Sequence, residues 1–404
     1  MLAGGGTGGH VYPALALADA LRRRDPAARV LFVGSAFGME ASLVPRAGVP
    51  FAGLAVRPPR SRSIGRTALA LGTGAAGLAQ AAVLVVRMKP DAVVATGGVA
   101  AAPPVLAAWA LRVPVVLLEG NAALGRTNAL LARFARVVAV TSDEASARVP
   151  GGRGLVTGLP VRPEVYATPR SEGLRAFGLD PRRRTILVLG GSQGAATLNA
   201  AVDDMVRRLS ARTDLQILHQ TGRGWSGTSE PGWPGAAAAE HPDPGARAAN
   251  PAAREISGRA PSGLRHIRLP YFEQIGLAYA CADLVVSRCG ATSIAEITAC
   301  GLPAVLVPYR YAAEGHQTQN AMPLAHAGAG IVVADDELTG ETLAARVLEI
   351  LDTPGRRDAM AARSKALGRP DASERVLALL EQLRRRSPRD GDLRPAAVSK
   401  ESGA

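Results

Sequence analysis

Short apolar runs recur along the chain, separated by Ala- and Leu-rich stretches with helical spacing. In the first half, Val30–Gly34, Ala92–Thr96, Val115–Glu119 and Val137–Thr141 read as strands. In the second half, Ile186–Leu189, Leu215–Gln220, His266–Leu269, Leu284–Ser287, Ala304–Val307 and Gly330–Val333 do the same. The runs are continuous rather than alternating, as expected of parallel strands covered by helices on both faces. The predicted fold is therefore α/β, with two Rossmann-like, doubly wound parallel-sheet domains facing a cleft. There are too many strands for one small sheet. Gly158-Leu-Pro-Val-Arg-Pro163 is a natural hinge between the halves. The expected division is 1–157 and 158–370, followed by a final helix at 371–386 marked by Val376, Leu377, Leu379, Leu380 and Leu383. Residues 222–263 read as a flexible insertion rich in Gly, Ala, Pro and Ser, and 387–404 as a disordered polar tail. Only Met1-Leu2-Ala3 precede the first glycine run, so either strand one is stunted or the start lies further upstream.

Composition narrows the picture. Over 404 residues the hydrophobic share is 47% but aromatics are only 4%, so both cores rest on Ala, Val and Leu. Cys281, Cys289 and Cys300 form no CxxC pair, which argues against a zinc site or a disulfide framework and fits a reducing cytoplasm. No apolar run is long enough for a transmembrane helix, and the N-terminus has no signal-peptide pattern. The net charge of +13 favours phosphorylated ligands and an anionic membrane surface. Nucleic acid is disfavoured, because stacking aromatics are scarce.

Five segments carry chemistry. The first is Gly4-Gly-Gly-Thr-Gly-Gly-His10, opening an Ala/Leu helix. Glycines let backbone N–H groups approach an anion at a helix start. The GxGxxG match of Gly4, Gly6 and Gly9 would need an acid after the second strand for dinucleotide binding, and that strand ends Val33-Gly34-Ser35 without one. His10 is placed to take a proton from a hydroxyl; the plain alternative for the whole segment is a tight turn. The second is Leu189-Gly-Gly-Ser-Gln-Gly194, where Ser192 and Gln193 add donors to another strand–glycine–helix turn, or where Ser192 only caps. The third, Gly290-Ala-Thr-Ser-Ile-Ala-Glu296, puts Ala291 and Thr292 at a helix start and Glu296 one to two turns in, able to accept from vicinal ribose hydroxyls or merely to suit the helix dipole. The fourth is His316-Gln-Thr-Gln-Asn320, whose Gln317 and Asn320 share a helix face suited to sugar hydroxyls or to solvent. The fifth is Glu119-Gly-Asn121, with Asn121 at a strand's carboxyl end.

In their order along the chain these segments resemble the lipid II-forming family, the undecaprenyldiphospho-muramoylpentapeptide N-acetylglucosaminyltransferases of GT-B architecture. The most specific stretches are residues 4–21, 187–199 and 316–321, with 156–162 in support. The resemblance implies an inverting, metal-independent and cofactor-free transfer of N-acetylglucosamine. The donor would be UDP-N-acetylglucosamine and the acceptor the C4 hydroxyl of the muramoyl sugar of lipid I. It implies His10 as general base and Thr7, Gly8 and Gly9 as the loop facing donor sugar and acceptor. Asn121, Arg162, Ser192, Gln317 and Asn320 would contact the donor, and Gln193, Ala291 and Thr292, from their own turn and helix-start positions, join them as candidate substrate-binding residues. Glu296 would hold the ribose, and the backbone of Phe272 would meet uracil. The family's His-Glu-Gln-Asn run reads Leu118-Glu119-Gly120-Asn121 here, and its Gly-Gly-Tyr loop reads Gly97-Gly-Val99. A lipid acceptor implies a peripheral position on the cytoplasmic face of the inner membrane. Arg57, Arg60, Arg62 and Arg66 before the apolar stretch 68–86, with Arg87 and Lys89 after it, suit docking on anionic lipid or a core helix with solvated ends. A UDP-sugar transferase acting on another lipid, a nucleotide-sugar epimerase and an inactive nucleotide-sugar-binding module are the competing readings.

Overall fold

The computed structural model describes residues 1–56, 64–191, 194–222, 225, 263–312 and 315–385, with 64–71 as backbone only. Most of the expected insertion, the tail, Ser192, Gln193, Arg57, Arg60, Arg62 and the Arg66 side chain lie outside the described residues.

The strands are β1 (Leu2–Gly4), β2 (Phe32–Ser35), β3 (Phe51–Leu54), β4 (Val93–Gly97), β5 (Val115–Leu118), β6 (Val137–Val140), β7 (Gly154–Val156), β8 (Arg184–Leu189), β9 (Leu215–Gln220), β10 (Arg265–Leu269), β11 (Leu284–Ser287), β12 (Ala304–Leu306) and β13 (Gly330–Val332). They form a seven-stranded sheet in the order β3-β2-β1-β4-β5-β6-β7 and a six-stranded sheet in the order β10-β9-β8-β11-β12-β13. Every pairing is parallel. Two of these strands, β3 and β7, are absent from the sequence reading. Phe51-Ala-Gly-Leu54 and Gly154-Leu-Val156 are short edge segments interrupted by glycine, so their apolar signal is weak.

The strand order places the chemistry. In each sheet the chain reverses its direction of winding at one point, between β1 and β4 in the first and between β8 and β11 in the second. Open parallel sheets bind ligands beyond the strand ends at such points. The glycine loops predicted from sequence leave β1, β4, β8 and β11, so all four open onto the switch points. In the first strand, Leu2 and Ala3 pair with both Phe32-Val33 and Val94-Ala95, which puts β1 at the centre of the sheet.

The chain crosses between the halves twice. Gly158 adopts φ +80°, and a methyl group added there would lie 2.6 Å from Arg369 Cβ, so the two crossovers touch. The last helix, Ala372–Arg385, returns to the first sheet. Its Val376, Leu377, Leu379 and Leu383 join the core of helix Gly8–Arg24, and Arg24 pairs with Glu374 and Glu381. Each such buried aliphatic side chain contributes roughly 1.5–3 kcal/mol. The surface ion pairs add little.

Candidate active site

Helix Gly8–Arg24 begins directly after the first glycine run, with Thr7 as its N-cap. His10 lies in its first turn and folds back, so that Nδ1 sits 2.9 Å from the Gly5 carbonyl oxygen and 3.4 Å from Thr7 Oγ1. A carbonyl only accepts, so Nδ1 donates, and in the neutral ring the lone pair is on Nε2. Gly97, the last residue of β4, and Gly98 after it, both at positive φ, wall the ring. A methyl group on Gly97 would lie 3.1 Å from His10 Nε2 and 3.3 Å from the Asn128 amide. Asn128 is buried, donates to Glu119 Oε2 at 3.0 Å, and has no partner for Oδ1. The basic nitrogen and this orphan acceptor therefore flank the same point of backbone.

Glu119, also buried, organises the segment after β5. Its Oε1 accepts from the backbone and side-chain nitrogens of Asn121 at 2.9 and 2.8 Å, and its Oε2 accepts from Gly125 N–H at 2.8 Å. Sequence reasoning quoted Glu119 only as part of a motif and gave Asn128 no role. The Glu-x-Asn spacing is the signal that could have found the first.

Across the cleft, helix Ala291–Cys300 starts at Gly290 and ends on left-handed Gly301. Its N-terminus faces the first domain. A methyl group on Gly9 would stand 3.7 Å from Thr292 Oγ1, and one on Gly120 would stand 3.1 Å from Ala291 Cβ. Thr292 Oγ1 is buried and has no hydrogen-bond partner among the described residues. An orphan hydroxyl at a helix start costs free energy in the protein alone and suits an anionic oxygen. Glu296, one turn on, accepts from the buried Tyr279 hydroxyl at 3.0 Å. It keeps some accessible surface, yet burial pushes its carboxyl up to about 7, against the pull of Tyr279 and of the Arg162 charge. Arg162 lies 5.3 Å over the Tyr12 ring and pairs with Glu164, and the Tyr12 hydroxyl meets that of Tyr271 at 2.7 Å across the cleft.

In helix His316–His326, Gln317 Oε1 accepts from Cys289 N–H at 3.1 Å and Tyr309 N–H at 2.9 Å, so both its lone pairs are used within the protein. Asn320 is buried and spans the cleft to Ala122 and Asn121. Phe272 is buried against Phe177 and donates its N–H to Gln220 Oε1 at 3.3 Å. Gly191 and Gly194, flanking Ser192 and Gln193, both have positive φ, and a methyl group on Gly194 would collide with Thr221 O at 2.2 Å. Thr7, Gly8, Gly9, His10 and Asn121 thus stand on one wall, and Ala291, Thr292, Glu296, Gln317 and Asn320 on the other, with Arg162 and Phe272 at the second-domain end. Among the described residues no cluster of His, Cys, Asp or Glu could hold a metal ion.

Comparison with known proteins agrees with this architecture. The glycosyltransferase family 28 N-terminal domain matches residues 1–140, and the family 28 C-terminal domain matches residues 185–376. The UDP-N-acetylglucosamine–N-acetylmuramyl-(pentapeptide) pyrophosphoryl-undecaprenol N-acetylglucosamine transferase of Moorella thermoacetica is 41% identical over 384 residues, covering 94% of this chain and 97% of that protein. The enzyme of the same name from Desulforudis audaxviator is 38% identical over 385 residues, covering 95% and 98%. The crystal structure of Acinetobacter baumannii MurG superposes with a TM-score of 0.67 at 28% identity over 95% of this chain and 98% of that one. The kitacinnamycin glycotransferase, at 17% identity and a TM-score of 0.66, shares the fold. The chain belongs to glycosyltransferase family 28 and, within it, to the N-acetylglucosamine transferases that act on N-acetylmuramyl-(pentapeptide) pyrophosphoryl-undecaprenol.

Proposed function

We propose that this chain transfers N-acetylglucosamine from UDP-N-acetylglucosamine to the muramoyl C4 hydroxyl of lipid I, giving lipid II. The observation that carries the reading is the approach of the Thr292 hydroxyl to Gly9, next to His10 on the first glycine loop. It supports a basic nitrogen on the acceptor side and an orphan donor on the phosphate side of the same loop. In the proposed reaction, the acceptor oxygen attacks the anomeric carbon from the face opposite UDP. His10 Nε2 takes the hydroxyl proton as the carbon–oxygen bond forms. The bond from the anomeric carbon to the phosphate oxygen breaks, and UDP leaves with its electron pair and the configuration inverts. The developing charge on the phosphate would fall at the start of helix Ala291–Cys300, whose N-terminal dipole favours an anion. Glu296 would accept from the ribose hydroxyls, Arg162, Gln317 and Asn320 would position the donor, and the Phe272 carbonyl would meet the base. Cleft binding supplies the alignment of hydroxyl and anomeric carbon.

We also place the acceptor end at an anionic membrane surface on the cytoplasmic side. Supporting this, Leu78, Val83 and Val86 of helix Ile64–Met88 and Trp109 and Leu111 beside it are exposed, with Arg87 and Lys89 at the helix end. Among the described residues no helix is long and apolar enough to cross a membrane.

Incubation with UDP-N-acetylglucosamine and a short-chain lipid I analogue, followed by mass spectrometry, tests the assignment. The expected result is one added N-acetylhexosamine on an analogue with a free muramoyl C4 hydroxyl and none on its 4-deoxy counterpart. Equal transfer to both would reject the acceptor position.

A further inference from the structure

The sequence places no acid at the end of β2, but the fold brings one back five residues later. Glu40 begins the short helix Glu40–Arg46 and is fully buried. Its carboxylate points under the first glycine loop. Oε1 accepts from Ser35 N–H and Oε2 from Gly6 N–H, each at 3.0 Å. Three glycines clear the space it occupies: a methyl group on Gly5, Gly34 or Gly38 would fall 2.0, 2.7 or 2.3 Å from Glu40 atoms.

The Gly6 N–H and the Gly5 carbonyl belong to one peptide group. Glu40 holds its nitrogen end, and His10 Nδ1 meets its oxygen end at 2.9 Å. We propose that Glu40 is a positioning residue that acts on His10 through the Gly5–Gly6 peptide. The anion at the N–H polarises the amide and strengthens its carbonyl as an acceptor, since hydrogen bonds in series reinforce one another in a low dielectric. That carbonyl fixes the Nδ1–H tautomer, keeps the Nε2 lone pair beside Gly97, and stabilises the imidazolium once Nε2 has taken the acceptor proton. The Nδ1 proton stays on Nδ1 throughout. A carboxylate bonded directly to a histidine does the same in hydrolytic triads; here one peptide unit stands between them. A carboxylate this deep is expensive unless its oxygens are fully used, and its partners lie on β2 and on the loop itself.

The inference rests on His10 being the base, so its test is a double-mutant cycle of wild type, Glu40→Gln, His10→Ala and the double variant. It is read as kcat on the lipid I analogue, KM for the donor and UDP affinity. Glu40→Gln keeps the shape but loses the charge and one acceptor. Expected is a fall in kcat of about 10- to 100-fold, the range for outer groups that orient a functional imidazole, with donor KM and UDP affinity within about twofold. In the His10→Ala background the same change should cost less than about threefold, because non-additivity marks groups acting as a unit. Equal losses in both backgrounds, or no loss in wild type, would overturn the relay while leaving His10 as base. Normal turnover by His10→Ala would instead remove the base reading and the relay with it. Should Glu40→Gln not fold, 15N NMR of His10 in the wild-type protein at about pH 8.5, well above the ordinary histidine pKa, decides the matter. The Nδ1–H tautomer is expected, and an Nε2–H tautomer overturns the proposal.

Discussion

Asn320 and Asn121 join the two walls of the cleft through their side-chain amides, with Asn320 Nδ2 donating to Asn121 Oδ1 at 3.1 Å. Asn320 also accepts from Ala122 N–H at 2.8 Å and donates to Cys289 O at 3.0 Å. Both amides keep spare capacity, one lone pair on Asn320 Oδ1 and one N–H on Asn121 Nδ2, which a sugar hydroxyl could use. Losing Asn320 would affect the seating of the two domains and the proposed donor contact together. Asn320→Ala removes these three bonds and, with them, one to two proposed hydrogen bonds to the donor of about 1 kcal/mol each, so donor KM should rise roughly 5- to 30-fold in steady-state kinetics. A KM equal to wild type would show that the residue only ties the domains.

His10→Ala should lower kcat by about 10²–10⁴, the share of general base catalysis, with UDP affinity by calorimetry unchanged. The imidazole touches the first domain's own loop and no group on the nucleotide side.

Thr292→Val separates a ligand role from a structural one. The hydroxyl has no partner among the described residues, so removing it should leave the melting temperature equal or slightly higher. UDP affinity should fall about 3- to 10-fold, one hydrogen bond to a charged oxygen. A lower melting temperature with unchanged UDP affinity would contradict the assignment.

Glu296 predicts a pH dependence of opposite sign for stability and for binding. Its carboxyl is raised from 4.5 to about 7 by burial, so the folded protein holds this proton longer than the unfolded chain. The contribution to stability is full below pH 4.5 and is lost as pH rises to about 7. Glu296→Gln should therefore raise the melting temperature at pH 8 and leave it unchanged at pH 4. Two ribose hydroxyls need the ionised form as acceptor, so UDP affinity of the wild type should weaken as pH falls below about 7. In Glu296→Gln it should be weak and flat across that range.

Arg288 and Asp335 form a buried pair at 2.7 Å, with 8% and 2% of their side chains exposed. Arg288 also donates to the carbonyls of Val307 and Pro308 beyond β12 and to Thr197 Oγ1. Asp335→Ala strands the guanidinium, and loss of one partner of a buried pair costs about 3–5 kcal/mol. Chemical denaturation should show that loss, and a change below about 1 kcal/mol would contradict the buried-pair description.

The residues that sequence reasoning found and those it missed differ in the physics of their signals. Glycine turns and the helix starts after them are local events, so Gly4–His10, Gly290–Glu296 and His316–Asn320 are readable in one pass. Long apolar runs such as Leu284–Ser287 announce buried parallel strands for the same reason. Glu40 has no such signal. Its neighbours Gly38 and Met39 are unremarkable as sequence, and its meaning arises only when β2 pairs with β1 and brings it under Gly6. Asn128 likewise acquires a role only through Glu119 and Gly97. The return of helix Ala372–Arg385 to the first sheet is a tertiary choice that helical periodicity alone does not specify.

Acceptor-dependent UDP release from UDP-N-acetylglucosamine tests the central claim most directly. The account predicts release that depends on a lipid I analogue, continues in the presence of a metal chelator, and collapses in His10→Ala. UDP release at the same rate without acceptor, or tight UDP binding with no release under any condition, would contradict it.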